Sequence, residues 1–120
     1  APDLATPVSK IFVQDYRKKY GRYPTFYAAQ SYDTIMLIDS AVRAVNGDLS
    51  NKDGMRAAMR RAAFPSVRGP FRYGNNHMPI QNFYLRKVVK DAEGNYTTSI
   101  VKTVYTNHQD PYAKDCKMSW

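Results

Sequence analysis

The apolar pattern of this chain changes period once, at Pro65. Before that point apolar residues recur three and four positions apart, the spacing of helices with a buried face. After it Val67, Gly69, Phe71 and Tyr73 alternate with Arg68, Pro70 and Arg72, the period of a half-buried strand. A chain that begins helical and ends extended must pack helices on a sheet. Three helices followed by three strands, in a mixed α/β or α+β arrangement, is the expectation.

Local signals place the elements. Thr6-Pro7 supplies a capping hydroxyl and a proline at the first helical position, and Gly21 stops a run carrying Val8, Ile11, Phe12 and Tyr16. Pro24 makes Arg22-Tyr23-Pro24 an extended connector. The second helix is expected from about Thr25 to Val45, ended by Asn46-Gly47. Its apolar residues, Ala28, Tyr32, Ile35, Met36, Ile38, Ala41, Val42 and Val45, cover more than one stripe, which marks burial on several sides. Ser50 and Asp53 have capping-box spacing for a third helix from Asn51 to about Ala63, with Met55, Ala58, Met59 and Ala62 inward. Strands are expected at 67–73, where Pro70 marks an edge or irregularity, at Phe83 to Val89 and at Tyr96 to Tyr105. Turns fall at Gly74 to Pro79 and at 91–95. The last fifteen residues read as an irregular tail.

Three antiparallel strands cannot cover helices that look buried on several sides. The missing surface is expected to come from chain that is not part of these 120 residues. One domain at most fits this length. The opening Ala-Pro-Asp-Leu has no basic or apolar leader, so a signal peptide has been removed or the chain begins in mid-protein. No run of eighteen apolar residues exists to form a membrane-spanning helix.

Eighteen Lys and Arg against ten Asp and Glu leave a net charge of +8. Such a balance raises a nucleic-acid reading, since clustered cations gain affinity by displacing phosphate counterions. The cations here come in short groups, Arg17-Lys18-Lys19, Arg56/Arg60/Arg61 and Arg86-Lys87/Lys90, interrupted by acids and apolar residues. That is the pattern of a solvated surface. A small basic nucleic-acid-binding module stays as the alternative reading, with no nucleic-acid partner in the preferred one.

No motif points to catalysis. His77, His108, Asp110, Asp115 and Cys116 are the candidate metal ligands, and no pair has the spacing of a zinc site. Ser99 and Lys102 match an S-x-x-K motif, but residues three apart on a strand point to opposite faces. There is no nucleophile elbow, phosphate loop or dinucleotide glycine pattern. The expectation is a non-enzyme with no catalytic residue, no metal and no cofactor.

Aromatic residues are the unusual component. Tyr20, Tyr23, Phe26 and Tyr27 crowd the junction of the first two helices. Rings at a helix N-terminus can stack on a ligand, with free backbone donors near an anion, or can close the core over the connector. The pattern favours the core for Phe26 and leaves both roles open for Tyr27.

These residues carry a resemblance. Phe12-Val13-x-x-Tyr16 with Tyr20-Gly21-x-x-Pro24, then Tyr27-Ala28-Ala29-Gln30-Ser31-Tyr32-Asp33, then Val67-Arg68-Gly69-Pro70-Phe71 resemble the C-terminal part of periplasmic solute-binding proteins of the branched-chain amino acid type, the extracellular receptors of ABC importers. The segments from Gly74 to Leu85 and from Asp110 to Met118 resemble a subgroup of these receptors. The resemblance implies an α/β fold, the C-terminal portion of a two-lobed type I periplasmic binding protein. Residues 1–81 would contribute to one ligand-binding lobe, and residues 82–120 would cross the hinge and join the other. It implies a periplasmic location, a small-molecule ligand in the interlobe cleft and a membrane permease as partner, together with the remainder of the parent binding protein. Branched-chain or other amino acids, amides and small aromatic acids are the ligands implied. The family's aromatic pocket position maps to Tyr27, with Phe26 and Gln30 as neighbouring ligand-binding candidates. In an exported protein the odd Cys116 is expected to pair with a cysteine in the absent part.

Overall fold

A computed structural model describes residues 4–118. Helix α1 spans Pro7–Tyr20. Thr6 caps it by accepting from the Ser9 N–H, and Gly21 ends it in the left-handed conformation with its N–H on the Arg17 carbonyl. Helix α2 spans Phe26–Ala44, with the Thr25 hydroxyl accepting from Ala28 N–H at 3.2 Å. Helix α3 spans Lys52–Arg61. Its cap is Asn51, whose Oδ1 accepts from Gly54 N–H at 2.9 Å, and not the expected Ser50, which instead donates to Asp48 in the preceding turn.

The core is small and is shared by side chains of α1, α2 and the segment at Val67. Phe12, Val13, Ala29 and Val67 are buried, and Val8, Tyr16, Tyr23 and Ala28 pack against them. The Phe12 ring meets Tyr32 at 4.9 Å between centroids. Ile11, expected on the inner face, points outward. Ala41 and Ala58 are buried on α2 and α3, where small side chains let two helices approach closely. The remaining apolar face of α2 is open, with Ile35 65% and Ile38 43% exposed. The surface that the sequence marks as buried on several sides is therefore bare in this chain.

The expected strand at 67–73 shrinks to β1, Arg72–Tyr73. Burial still alternates from Val67 to Tyr73, but the backbone is not paired as a ladder. Val67 gives both its backbone groups to helices, its N–H to Asp33 at 3.0 Å and its carbonyl to the Ser9 hydroxyl at 2.7 Å. Gly69 then takes φ 99°, and Pro70 has no N–H to donate. Strand β2 runs Pro79–Lys90 and β3 runs Tyr96–His108, both longer than the sequence indicates. The sheet is antiparallel in the order β1-β2-β3, with Tyr73 opposite Pro79 and Lys90 opposite Tyr96.

The tail is also more ordered than expected. Beyond β3 a short 3-10 turn at Ala113–Asp115 buries Ala113. Asn75 donates to the Ala113 carbonyl at 2.7 Å and Asn76 to Asp110 at 2.8 Å, so the β1–β2 turn holds the tail in place. Cys116 is half-buried and unpaired among the described residues.

Candidate functional site

Two turns in from the tip of α2, Asp33 is 4% exposed. Its carboxylate accepts from Ser66 Oγ at 2.6 Å, Val67 N–H at 3.0 Å and Arg68 Nε at 3.0 Å. A buried carboxylate is tolerable only with such full satisfaction. The consequence is positional: Ser66, Val67 and Arg68 are pinned against α2, and Arg68 is turned toward the long hairpin.

Between the helices and that hairpin lies an open groove of about 580 Å³. Phe12, Tyr23, Phe26 and Ala29 form the helical wall, with Arg68 on the same side. Tyr84, Arg86 and Thr97 contribute to the hairpin wall. Among the described residues none that lines it is acidic. The Thr97 hydroxyl is buried without a hydrogen-bond partner on that wall, an uncommon state for a polar atom. Arg86 donates to Thr98 at 3.0 Å across the two strands.

Tyr23, on the helical side of the groove, also reaches the tip of the hairpin. Tyr23 donates to Asp91 at 3.0 Å, and Arg17 pairs with Glu93 at 2.6 Å while stacking 4.5 Å from the Tyr23 ring centroid. Burial pushes the Asp91 carboxyl up, but the N–H groups of Asn95 and Glu93 and the Tyr23 hydroxyl outweigh it and hold it below the usual carboxylate value. Burial, and next the hydrogen bond to Asp91, raise the Tyr23 phenol against the opposing Arg17 charge. This cluster ties the tip of the hairpin to the α1–α2 connector.

The three ligand-binding candidates read from the sequence fall in different places. Phe26 lines the groove with its ring 63% exposed. Tyr27 is 76% exposed at the α2 tip, in edge contact with Phe26 at 6.0 Å, and lies outside the groove. Gln30 is exposed one turn further on and also lies outside it. Arg68, Tyr84 and Thr97 line the groove and were not singled out as site residues. The alternation of 67–73 puts Arg68 on the outward face, and only its pairing with Asp33, 35 positions earlier, turns it inward.

Comparison with known proteins bears on what such a groove belongs to. The family described as periplasmic binding protein matches residues 1–94. Among solved structures, the solute-binding protein of an ABC transporter from R. palustris, in complex with benzoate, superposes with a TM-score of 0.82 at 34% identity over 97% of this chain. An ABC transporter substrate-binding protein from Sphaerobacter thermophilus superposes with a TM-score of 0.77 at 23% identity over 88% of the chain, a likeness of fold. The chain spans 31% and 29% of the lengths of these two proteins. No curated protein matches it. The three helices and antiparallel hairpin thus have counterparts in proteins about three times as long. With the family matched over most of its length, this chain belongs to the periplasmic binding proteins.

Proposed function

We propose that the chain is the C-terminal portion of the substrate-binding component of an ABC importer. In this reading the complete protein holds a small ligand in a cleft between two lobes in the periplasm and presents it to a membrane permease. Residues 1–81 contribute to one lobe, and residues 82–120 cross the hinge toward the other. The observation that carries the reading is the open groove of about 580 Å³ walled by helix residues on one side and hairpin residues on the other. That volume is in the range of small-molecule sites, and its wall is rich in aromatic rings with a few polar groups, as such sites are. The R. palustris relative, solved with benzoate, places small aromatic acids beside amino acids and amides among the ligand classes to test. Phe26 faces the groove, and Tyr27 and Gln30, exposed outside it on the first turns of α2, are the ligand-binding candidates that a second lobe would close over. The chemistry is binding rather than catalysis, and among the described residues no group of His, Cys, Asp or Glu could hold a metal.

The alternative, a basic nucleic-acid module, fits less well. Arg17, Arg43, Arg56 and Arg68 each pair with an acidic side chain, which reduces the charge available to phosphates. The test is thermal melting of the complete protein with branched-chain amino acids, amides and aromatic acids. A ligand present at about 100 times its Kd adds about 2.7 kcal/mol of stability, a readable shift. Stabilisation by one of these classes supports the reading. Stabilisation by none, with binding to nucleic acid that weakens steeply with salt, overturns it.

A further inference from the structure

We propose that Arg68 is the anion-binding residue of the groove, and that the groove selects a monoanionic aromatic acid over a zwitterionic amino acid. The inference rests on the solute-binding reading above.

Arg68 is a side chain held in place before any ligand arrives. It is 21% exposed, and its Nε is engaged by Asp33 at 3.0 Å. Asp33 is itself fixed by Ser66 and the Val67 N–H, so the guanidinium plane has little freedom. Neither Nη nitrogen meets a protein acceptor among the described residues, although the side chain lines the groove. A guanidinium with one edge anchored and its two Nη groups open is the geometry that receives a carboxylate through paired hydrogen bonds.

Two independent observations on the same walls give the ligand's chemistry. The first is charge. Arg68, with Asp33 behind it, and Arg86 line the groove, and among the described residues no acidic one does. A carboxylate entering there meets only cations and neutral donors. The ammonium of an amino acid would find no free carboxylate among the described lining residues, since Asp33 is taken by Arg68, and burying an unpaired cation is costly. The second is shape and surface. Phe12, Tyr23, Phe26, Tyr84 and Tyr96 surround the groove, a lining suited to an aromatic ring held by offset or edge contacts.

The experiment uses the complete binding protein and three probes of similar size: benzoate as monoanion, benzamide as its neutral counterpart, and phenylalanine as zwitterion. Calorimetric titration of the wild type should show benzoate binding about tenfold or more tighter than either of the others, the scale of a hydrogen bond to a charged partner. Arg68→Met should weaken benzoate by about tenfold or more and leave benzamide within about twofold. Arg68→Lys should retain part of the benzoate affinity. Should Arg68→Met fail to fold, the wild-type ratio of benzoate to benzamide and the Arg68→Lys variant decide. Equal affinity for benzoate and benzamide overturns the proposal, as does unchanged benzoate affinity in folded Arg68→Met. Tight binding of phenylalanine or leucine without benzoate also overturns it, while leaving the solute-binding reading intact. Binding of none of the probes or other ligand classes overturns both.

Discussion

Phe26 and Tyr27 are adjacent in sequence and in contact, yet the helix turns them to different surroundings. Phe26 faces the groove, and Tyr27 projects into the open with three quarters of its surface exposed. Removing a ring so placed costs little folding energy in the chain itself. In the complete protein Tyr27→Ala is expected to weaken ligand binding by about 0.5–1.5 kcal/mol, the worth of an aromatic contact beyond its buried area, with the melting temperature unchanged. Calorimetry and thermal melts on the same samples check this, and a lower melting temperature with intact affinity would make Tyr27 a packing residue. Asp33 is the opposite case. Asp33→Ala leaves Arg68 unpaired and the Val67 N–H without its acceptor, so the complete protein should lose about 3 kcal/mol in urea unfolding, the low end for breaking a buried ion pair.

Secondary elements show which parts of the structure were legible in the sequence. Thr6-Pro7, Gly21 and Thr25 act within a few residues of themselves, so the ends of α1 and the start of α2 followed directly from local chemistry. The segment 66–71 did not, because its hydrogen-bond partners are Ser9 and Asp33, on helices far away in sequence. Alternating side chains announced a strand there, while the backbone was already committed elsewhere. The tail was misread for a similar reason, since its partners Asn75 and Asn76 belong to a turn with no local sign of that duty. Of the candidate groove, Phe26 was among the residues read from the sequence, Tyr27 and Gln30 fall outside it, and the inward turn of Arg68 had no local sign.

The hairpin tip gives a prediction at the same level. Asp91 titrates below its unfolded value of about 3.9, so its tie to Tyr23 stabilises above that pH and is lost as pH falls through the folded value. Tyr23 titrates above its unfolded value of about 10, so its contribution is complete below that pH and is lost as pH rises through the folded value. Amide exchange at residues 90–96 should therefore quicken toward both extremes after correction for intrinsic rates. Tyr23→Phe should quicken it at neutral pH and remove the alkaline limb. Unchanged exchange in Tyr23→Phe would show that the hairpin holds its position without this tie.

Taken whole, the chain is more open than its mass allows for a finished globule. Its accessible surface is 8447 Å², against about 6,600 Å² for a compact monomer of this size. Its radius of gyration is 16.6 Å, against about 13.6 Å for a compact chain of this length. Bare apolar side chains on α2 and on β3, among them Ile35, Val101, Val104 and Tyr105, account for much of the excess. Expressed alone, the 120 residues should self-associate and bind an apolar dye. Sedimentation across a concentration series checks this, and a monomer with a cooperative, concentration-independent melt would contradict it.

The hold on Val67 also joins distant parts of the chain. Its two hydrogen bonds reach Ser9 and Asp33, 58 and 34 positions away along the chain. Each ties the 66–68 segment to a different helix, so the two together close two long loops through one residue. The helix-side wall at 66–68 is thus a long-range feature that local sequence cannot make by itself. A chain that has made only its helices has the aromatic tip of α2 but not this wall. The wall is complete only when both backbone groups of Val67, which belong to successive peptide units, have found side chains on two different helices.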